Sequence, residues 1–172
     1  MACGIYTIGG IPLGCLDNTG GIKYVDIAPM PTDGAAYDLA SDSMSIETIN
    51  DPIASEFKRF SFRKQTSGLE STVNINDVEG IMSVTTNLTL KFAKQETAKR
   101  SEIMALLLEN SIVVVTDMND KQWVLGVENP VTATAGTTST GINLTDGNSY
   151  NITLTDLSSE LPYELTGSIA TS

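Results

Sequence analysis

The clearest pattern along the chain is the alternation of apolar and polar residues between positions 81 and 92. Five apolar residues share one face: Met82, Val84, Leu88, Leu90 and Phe92. The residues between them are polar: Ser83, Thr85, Asn87, Thr89 and Lys91. Successive side chains of a β-strand point to opposite faces, so this alternation predicts a strand with one buried side and one solvated side, as in an antiparallel sheet.

The segments before this strand also predict β-structure. Residues 57–65 combine phenylalanines with long cationic side chains, and residues 69–76 alternate, with Leu69, Val73 and Ile75 on one face. Two glycine-flanked segments near the N-terminus, 4–10 and 20–27, are typical of short strands between turns.

The segments after it predict one helix and a hairpin. Residues 96–110 place Ile103, Met104, Leu106 and Leu107 at helical spacing, and Thr97 is the candidate N-cap. Residues 111–117, apolar on both faces, and 121–128 flank a short polar turn. This arrangement predicts a hairpin with a fully buried first strand.

The C-terminal third contains a small-residue run followed by a second hairpin pattern. Residues 130–141 are rich in Thr, Ala and Gly and have no apolar spacing, so we expect a polar loop that becomes ordered only on assembly. The Asp146–Gly147 turn then predicts a hairpin between 141–145 and 150–157. Its apolar residues are in phase: Ile142, Leu144, Tyr150, Ile152 and Leu154.

Many strands and one helix predict a single domain over residues 1–172. The expected fold class is mainly β, an antiparallel β-sandwich or small barrel with one flanking α-helix. The region at about 28–56, with prolines, small residues and acids, is too long for a typical connection. It predicts an extended arm or loop, with disorder of the isolated protein as the alternative.

The charge is strongly negative and unevenly placed. The 172 residues contain 10 Lys and Arg against 21 Asp and Glu, a formal net charge of −11, which opposes binding to nucleic acid. Eight of the ten basic residues lie between Lys58 and Arg100. These charged residues either lie on solvated surfaces or form a basic face that meets an acidic face on a neighbouring copy.

The sequence offers little for catalysis. The chain has no histidine, which excludes Ser–His and Cys–His nucleophile pairs. Cys3 and Cys15 are too few for a closed zinc site, and we expect free thiols. Asp117, Asn119 and Asp120 begin like a calcium loop but lack its glycine and distal glutamate, which favours a hairpin turn. We therefore predict that the protein is not an enzyme and that it binds no cofactor and no metal.

Two further features have competing interpretations. Trp123, the single tryptophan, is either a core residue or a stacking platform for a sugar or base. Phenylalanines interleave with the basic pairs at 58–59 and 63–64, a pattern also seen in single-strand binders, although the overall acidity argues against this. The glycine-broken N-terminus does not match a signal peptide, and no apolar run approaches the length of a membrane span.

The order of the parts from about Phe57 to Leu165 resembles a known type of protein. An Asp/Asn turn precedes an aromatic-Leu-Gly strand, a small-residue segment and a late hairpin ending in alternating Thr and Leu. The matching residues are Asp117, Asn119, Asp120, Trp123, Leu125, Gly126, Asp146, Asn148, Tyr150, Thr153 and Leu154. This order resembles the tail-tube and neck-ring structural proteins of crAss-like phages of Bacteroides-like bacteria. Ser149 stands where that pattern has glycine, so we expect a shifted turn.

The resemblance implies a virion structural protein of the phage tail or neck, assembled in the host bacterial cytoplasm. Its partners would be other copies, in a six-fold or twelve-fold ring, and other tail, neck or portal proteins, with no membrane. DNA would pass through without specific binding. The expected interface residues are Lys58, Arg59, Arg63, Lys64, Thr132, Thr137 and Thr138. The alternatives are a carbohydrate-binding or adhesin-type sandwich that uses Trp123 and, last, a carboxylate-based hydrolase.

Overall fold

The computed structural model describes residues 9–12, 18–30, 37–41, 44–49, 57–63, 65–167 and 169. Cys3, Cys15, Lys64 and most of the expected strand at 4–10 lie outside these ranges. The segment 20–27 is largely a strand, as predicted.

Eleven strands and one helix make up the described part of the chain. They are β1 (Ile22–Pro29), β2 (Tyr37–Leu39), β3 (Ser45–Ile49), β4 (Lys58–Ser61), β5 (Gly68–Asn76), β6 (Ile81–Ala93), α1 (Thr97–Leu108), β7 (Ser111–Asp117), β8 (Gln122–Leu125), β9 (Thr132–Ser139), β10 (Ser149–Ser158) and β11 (Tyr163–Leu165). The mainly β fold class with one helix is confirmed.

The strands form two sheets that pack as a sandwich. The larger sheet has the order β2-β3-β11-β8-β7-β1-β4, and the smaller has β5-β6-β10-β9. All pairings are antiparallel except that of β3 with β11. The smaller sheet consists of two hairpins, β5–β6 and β9–β10, whose inner strands β6 and β10 pair over ten residues from Ser149–Ala93 to Ser158–Val84.

The main core lies between the two sheets and under the helix. Leu88 and Leu90 of β6 and Ile152 and Leu154 of β10 face the valines of β1 and β7. The alternation along β6 therefore marks the buried face correctly, since Val84, Leu88 and Leu90 are all fully buried. Thr86 is buried on the same face, where its hydroxyl lies 2.8 Å from that of Ser71.

A second apolar cluster covers the other face of the large sheet. Ile112, Val114 and Val124 pack there with Ile46 and Phe57. Strand β7 is thus buried on both faces, as its unbroken apolar run predicts. The turn between β7 and β8 is confirmed as a hairpin turn: the Asp117 Oδ1 accepts hydrogen bonds from the backbone N–H groups of Asn119 and Lys121, at 2.8 and 2.9 Å.

The helix differs in detail from its predicted pattern. Its N-cap residue is Glu96, which makes no capping side-chain hydrogen bond, and Thr97 is the first helical residue. Ile103 and Leu106 are buried, but Met104 is 40% exposed, so the apolar stripe is narrower than predicted. Leu107, the remaining residue of the predicted stripe, is partly buried and packs against the same core.

The predicted last hairpin between 141–145 and 150–157 is wrong. Strand β10 pairs instead with β9, with Thr138 opposite Tyr150 and Thr137 opposite Asn151. Residues 140–148 form a loop, because the Asp146 carboxylate accepts hydrogen bonds from the N–H groups of Ile142 and Asn143, at 3.0 and 2.8 Å. The turn at Gly147, with φ of 65°, is where the sequence placed it.

The expectation of a loop at 130–141 is also wrong, because residues 132–139 pair with β10. Its central residues are strand β9 on the edge of the small sheet. Threonine is β-branched and favours extended backbone, and an edge strand with one neighbour needs no strict apolar alternation. Ala133 alone of this strand packs against the core as a partly buried residue.

The region 28–56 is partly described. Its strands β2 and β3 pair with each other, and β3 joins the large sheet through β11. Residues 31–36, 42–43 and 50–56 lie outside the described ranges. The role of this region as an arm towards other subunits stays a prediction.

Candidate assembly surfaces

The basic strand β4 forms one edge of the large sheet and holds an internal ion pair. Asp26 is fully buried on β1. The Arg59 guanidinium donates to both of its carboxylate oxygens, from Nε at 2.9 Å and from Nη2 at 3.1 Å. The same guanidinium lies 3.9 Å from the centre of the Tyr24 ring. Arg59 is therefore occupied within its own subunit, and its hydrogen bonds to Asp26 raise its pKa.

The other basic residues of this stretch lie around the same edge. Lys58 pairs with Ile27 in the β1–β4 ladder and is exposed. Arg63 is also exposed, just beyond the end of β4. Phe60 and Phe62 turn inward onto Phe92, with ring centres at 6.0 and 5.1 Å. The aromatic residues of the pattern are consequently core residues, which removes the stacking surface that a single-strand binder needs.

Strand β9 is a long, neutral edge. Its eight residues contain no charge and no proline, and seven of them are exposed. Within the described part of the chain, no strand pairs with β9 on its outer side. Soluble proteins usually protect such edges with charges, prolines or short strands. The unpaired backbone groups of β9 are therefore available for pairing with another strand.

Strand β5 forms the opposite edge of the same sheet. Its nine residues are mostly exposed and include one charged residue, Glu70. Leu69, Val73 and Ile75 do share one face, as predicted, since they pair in register with Leu88, Val84 and Met82. However, Val73 and Ile75 are 43% and 69% exposed, so the far half of the β5–β6 hairpin extends beyond the part of the sandwich that covers it.

The outer face of the small sheet is polar but nearly uncharged. In β5, β6, β9 and β10, Glu70 and Lys91 are its charged residues. The remaining positions are mostly threonine, serine and asparagine. Hydrogen bonds cross the strands on this face, for example from Thr155 Oγ1 to Asn87 Oδ1 at 2.8 Å. This surface is mainly polar and carries no charge cluster.

The expected interface residues lie on two different edges. Lys58, Arg59 and Arg63 are at the β4 edge of the large sheet, whereas Thr132, Thr137 and Thr138 are on β9 of the small sheet. Thr137 points to the outer polar face because it is opposite Asn151, and Thr138 points to the other face, opposite Tyr150. The structure therefore defines two separate candidate contacts rather than one patch.

Trp123 lies between the core and a surface cleft. It packs against the main core as a partly buried residue, and its Nε1 donates to Asp117 Oδ2 at 3.3 Å. It also lines a cavity of about 300 Å³ together with Asn18, Asp117 and Asn119. The cleft thus combines an aromatic wall with amide and carboxylate groups.

A buried carboxyl marks the junction between β8 and β10. Asp156 is 3% exposed, and its Oδ1 has no hydrogen-bond partner. Burial raises its pKa to about 6, against the hydrogen bond from the Gly126 N–H, and the nearby Glu128 adds to the increase. A side chain at Gly126 would meet the Ser111 carbonyl oxygen at 3.0 Å, so glycine is needed at this close approach, where φ is 91°.

Other chemistry is sparse in the described residues. They contain no group of three or more side chains that could hold a metal ion. They also contain no helix that is long and apolar enough to cross a membrane. Two features were missed from the sequence, namely the buried Asp156 and the exposed loop at 140–148. The sequence did contain a signal for the buried carboxyl, because Asp156 follows Ile152 and Leu154 at the same two-residue spacing.

Comparisons with known proteins add little to this picture. No protein-family model matches the chain, and no curated protein matches it. One solved structure that resembles it is a chain in the virion of a native gene transfer agent particle, with a TM-score of 0.39 and 10% sequence identity. The match covers 63% of this chain and 89% of that chain. A likeness at this level carries no argument about function.

Proposed function

We propose that this protein is a structural subunit of a phage-type virion, and that it forms a ring in the tail or neck around a channel for DNA. The observation that carries the proposal is the small sheet, which has two long exposed edges and a neutral polar outer face. Pairing β9 of one copy with β5 of the next would join these sheets into one continuous barrel. The protein acts by assembly in this proposal, without catalysis or a cofactor.

Edge pairing satisfies the backbone groups that each isolated subunit leaves open. Both edges are neutral or nearly so, and a head-to-tail contact between two different edges generates a ring when the rotation closes. Barrel closure removes every edge of the small sheet at once. The neighbouring copy thus supplies the protection that β9 and β5 lack in the single chain.

The dimensions fit a channel. Six copies of four strands give a barrel of 24 strands, and at about 4.8 Å between strands its backbone would be about 37 Å across. Twelve copies would give about 73 Å at the same spacing. The Thr- and Asn-rich outer face would line the six-copy barrel, and its lack of cationic clusters would let duplex DNA slide without binding. Tail, neck or portal proteins would be the partners at the two ends.

Electron microscopy of the concentrated protein, with two proline variants, tests the edge contact. Consecutive backbone N–H groups of a strand point in opposite directions, so one of Thr137→Pro and Thr138→Pro removes an outward N–H and the other disrupts pairing with β10. We expect the wild type to form rings. The outward variant should fold with unchanged circular dichroism but form no rings. Rings formed by a folded outward variant would rule out edge pairing through β9.

A second candidate function, glycan binding, is supported by the cleft beside Trp123. An aromatic ring next to amide and carboxylate groups is suited to a sugar, which stacks through its apolar face and accepts or donates hydrogen bonds at its hydroxyls. Glycan-array binding by the wild type, lost in Asn119→Ala, would favour this function. Asn129→Ala, which removes an exposed asparagine outside the cleft, is the matched control.

A further inference from the structure

Two fully exposed aliphatic side chains stand on an ordered loop at one end of the small sheet. Ile142 is 97% exposed and Leu144 is 103% exposed. Their loop, residues 141–147, is fixed by the Asp146 carboxylate, which accepts two backbone hydrogen bonds, and the Asp146 N–H donates to the Asn143 carbonyl at 3.1 Å. These hydrogen bonds also lower the pKa of Asp146. We call this segment the apolar loop.

The first residue of the apolar loop is restricted to glycine. A Cβ at Gly141 would lie 2.7 Å from the Gly147 carbonyl oxygen, and φ at this position is 74°. The loop is therefore closed tightly on itself, yet it directs its two largest apolar side chains into solvent. An ordered loop that exposes apolar side chains is typical of a binding anchor, because little conformational entropy is lost when it docks.

An apolar groove lies at the opposite end of the same sheet. It has a volume of about 350 Å³ and lies under the far half of the β5–β6 hairpin. Its apolar lining consists of Met44, Val73, Met82, Val84, Leu161 and Pro162. The alternation of β5 and β6 predicts a buried face here, but Val73 of β5 is 43% exposed, and Leu161, between β10 and β11, is 57% exposed. We call this the end groove.

The two features lie at opposite ends of strand β10. Ser149, next to the apolar loop, pairs with Ala93, whereas Ser158, next to the end groove, pairs with Val84. The nine residue steps from Ser149 to Ser158 separate them by about 30 Å. A contact between the loop of one copy and the groove of another is thus heterologous and runs along the strands, so it can repeat without limit.

The charges around the two features are opposite. The apolar loop carries Asp146 and lies next to Lys94, whose backbone N–H donates to the Asn148 carbonyl at 2.9 Å. Glu96 pairs with Lys94 and Lys99, at 2.5 and 3.3 Å. Arg100 is exposed on the adjacent first turns of α1, so cations outnumber acids at this end. The end groove includes Glu160, and the nearby hairpin turn carries Asp77 and Glu79. Docking would bring the basic end of one copy to the acidic end of the next. This complementarity favours a second copy of the chain as the occupant.

We propose that the apolar loop of one copy inserts Ile142 and Leu144 into the end groove of the next, and that this contact stacks subunits lengthwise. The proposal rests on the proposed function only in assuming self-assembly, since it uses neither β9 nor β5 as a pairing edge. In a ring built by edge pairing, the lengthwise contact would join one ring to the next.

A complementation experiment tests this contact in the background of the outward β9 proline variant, where rings are blocked. The loop variant is Ile142→Asp with Leu144→Asp, and the groove variant is Val73→Asp with Leu161→Asp. Leu108→Asp, at a 78% exposed position on the helix, is the matched control. We expect the background and control proteins to form lengthwise oligomers in sedimentation velocity, and each variant to associate at least tenfold more weakly. Mixing the two variants should give one-to-one dimers, because one intact groove meets one intact loop.

Three outcomes would overturn the lengthwise contact. They are a monomeric background protein at high concentration, unchanged association of either variant, and a mixture that remains monomeric although both variants fold. None of these outcomes affects ring formation by the parent protein, which depends on β9. Conversely, if β9 does not pair with a neighbouring copy, the loop and groove variants still test the lengthwise contact. The two proposals therefore fail separately.

Discussion

At the scale of single residues, Arg59 shows how a surface cation can be committed to its own subunit. A sequence of alternating cations and phenylalanines gives no sign that Arg59 pairs with Asp26, 33 positions earlier, because that contact depends on the β1–β4 register. The pair places one fully buried carboxylate under a half-exposed guanidinium. Charge reversal at Arg59 would therefore disturb the folding of its own subunit.

The first prediction concerns the effect of charge reversal on folding. Arg59→Glu should lower the free energy of unfolding by about 3 kcal/mol or more, because Asp26 would remain buried without its partner and beside a second carboxylate. Arg63→Glu, at an exposed position beyond the strand, should change it by less than about 0.5 kcal/mol. Urea denaturation of both variants measures the difference. Equal stabilities would show that the Asp26 ion pair contributes nothing to folding.

Asp156 provides a pH-dependent prediction. Its pKa of about 6 in the folded state lies above the ordinary value of 3.8, so the folded protein holds this proton more tightly than the unfolded chain. Its contribution to stability is therefore present below about pH 4 and lost as pH rises through 6. Asp156→Asn should raise the free energy of unfolding by about 1–3 kcal/mol at pH 8 and leave it nearly unchanged at pH 4.

The control for this experiment is Asp77→Asn, at an exposed carboxyl on the hairpin turn. It should give no comparable difference between the two pH values. A stabilisation by Asp156→Asn that is the same at pH 4 and pH 8 would mean that the buried carboxyl is not the titrating group.

At the scale of elements, the sequence predicted strands well where burial imposes a pattern. Strand β6 alternates because one of its faces packs on the core, and β7 is continuously apolar because both of its faces are covered. Strand β9 has no such constraint, so its threonines looked like a loop. The spacing of Ile142 and Leu144 predicted a strand where the structure has a loop. The hydrogen bonds of the Asp146 carboxylate hold these residues in a turn outside the sheet.

The helix gives a prediction at the same scale. Leu106→Ala should lower the free energy of unfolding by about 2–4 kcal/mol, because it removes a buried side chain that joins α1 to the core. Met104→Ala should cost less than about 1 kcal/mol, since Met104 is 40% exposed, although helical spacing placed it in the same apolar stripe. Thermal or urea unfolding compares the pair. A large loss for Met104→Ala in the isolated subunit would show that the helix packs with its broader face.

At the scale of the whole molecule, the candidate contacts could be predicted only in part. Composition and charge pointed to assembly, and the threonines at 132, 137 and 138 were expected at an interface. All three lie on one edge strand, but the position of that strand depends on its pairing with β10, which the local sequence pattern does not specify. The end groove and the apolar loop arise in the same way, from the position of the β5–β6 hairpin and of the 141–147 turn relative to the sandwich.

Hydrogen exchange of β9 in the monomer and in the assembled particle tests the whole-molecule arrangement. In the monomer, amides of β9 that bond to β10 should be protected and those between them should exchange quickly, giving an alternating pattern along residues 132–139. Assembly should protect the exchanging half through the β5 edge of a neighbour, with a matching change along β5. The amides of β7, buried on both faces, serve as the internal reference because they should stay protected in both states. An alternating pattern that persists in the particle would show that β9 remains an open edge and that the rings are joined elsewhere.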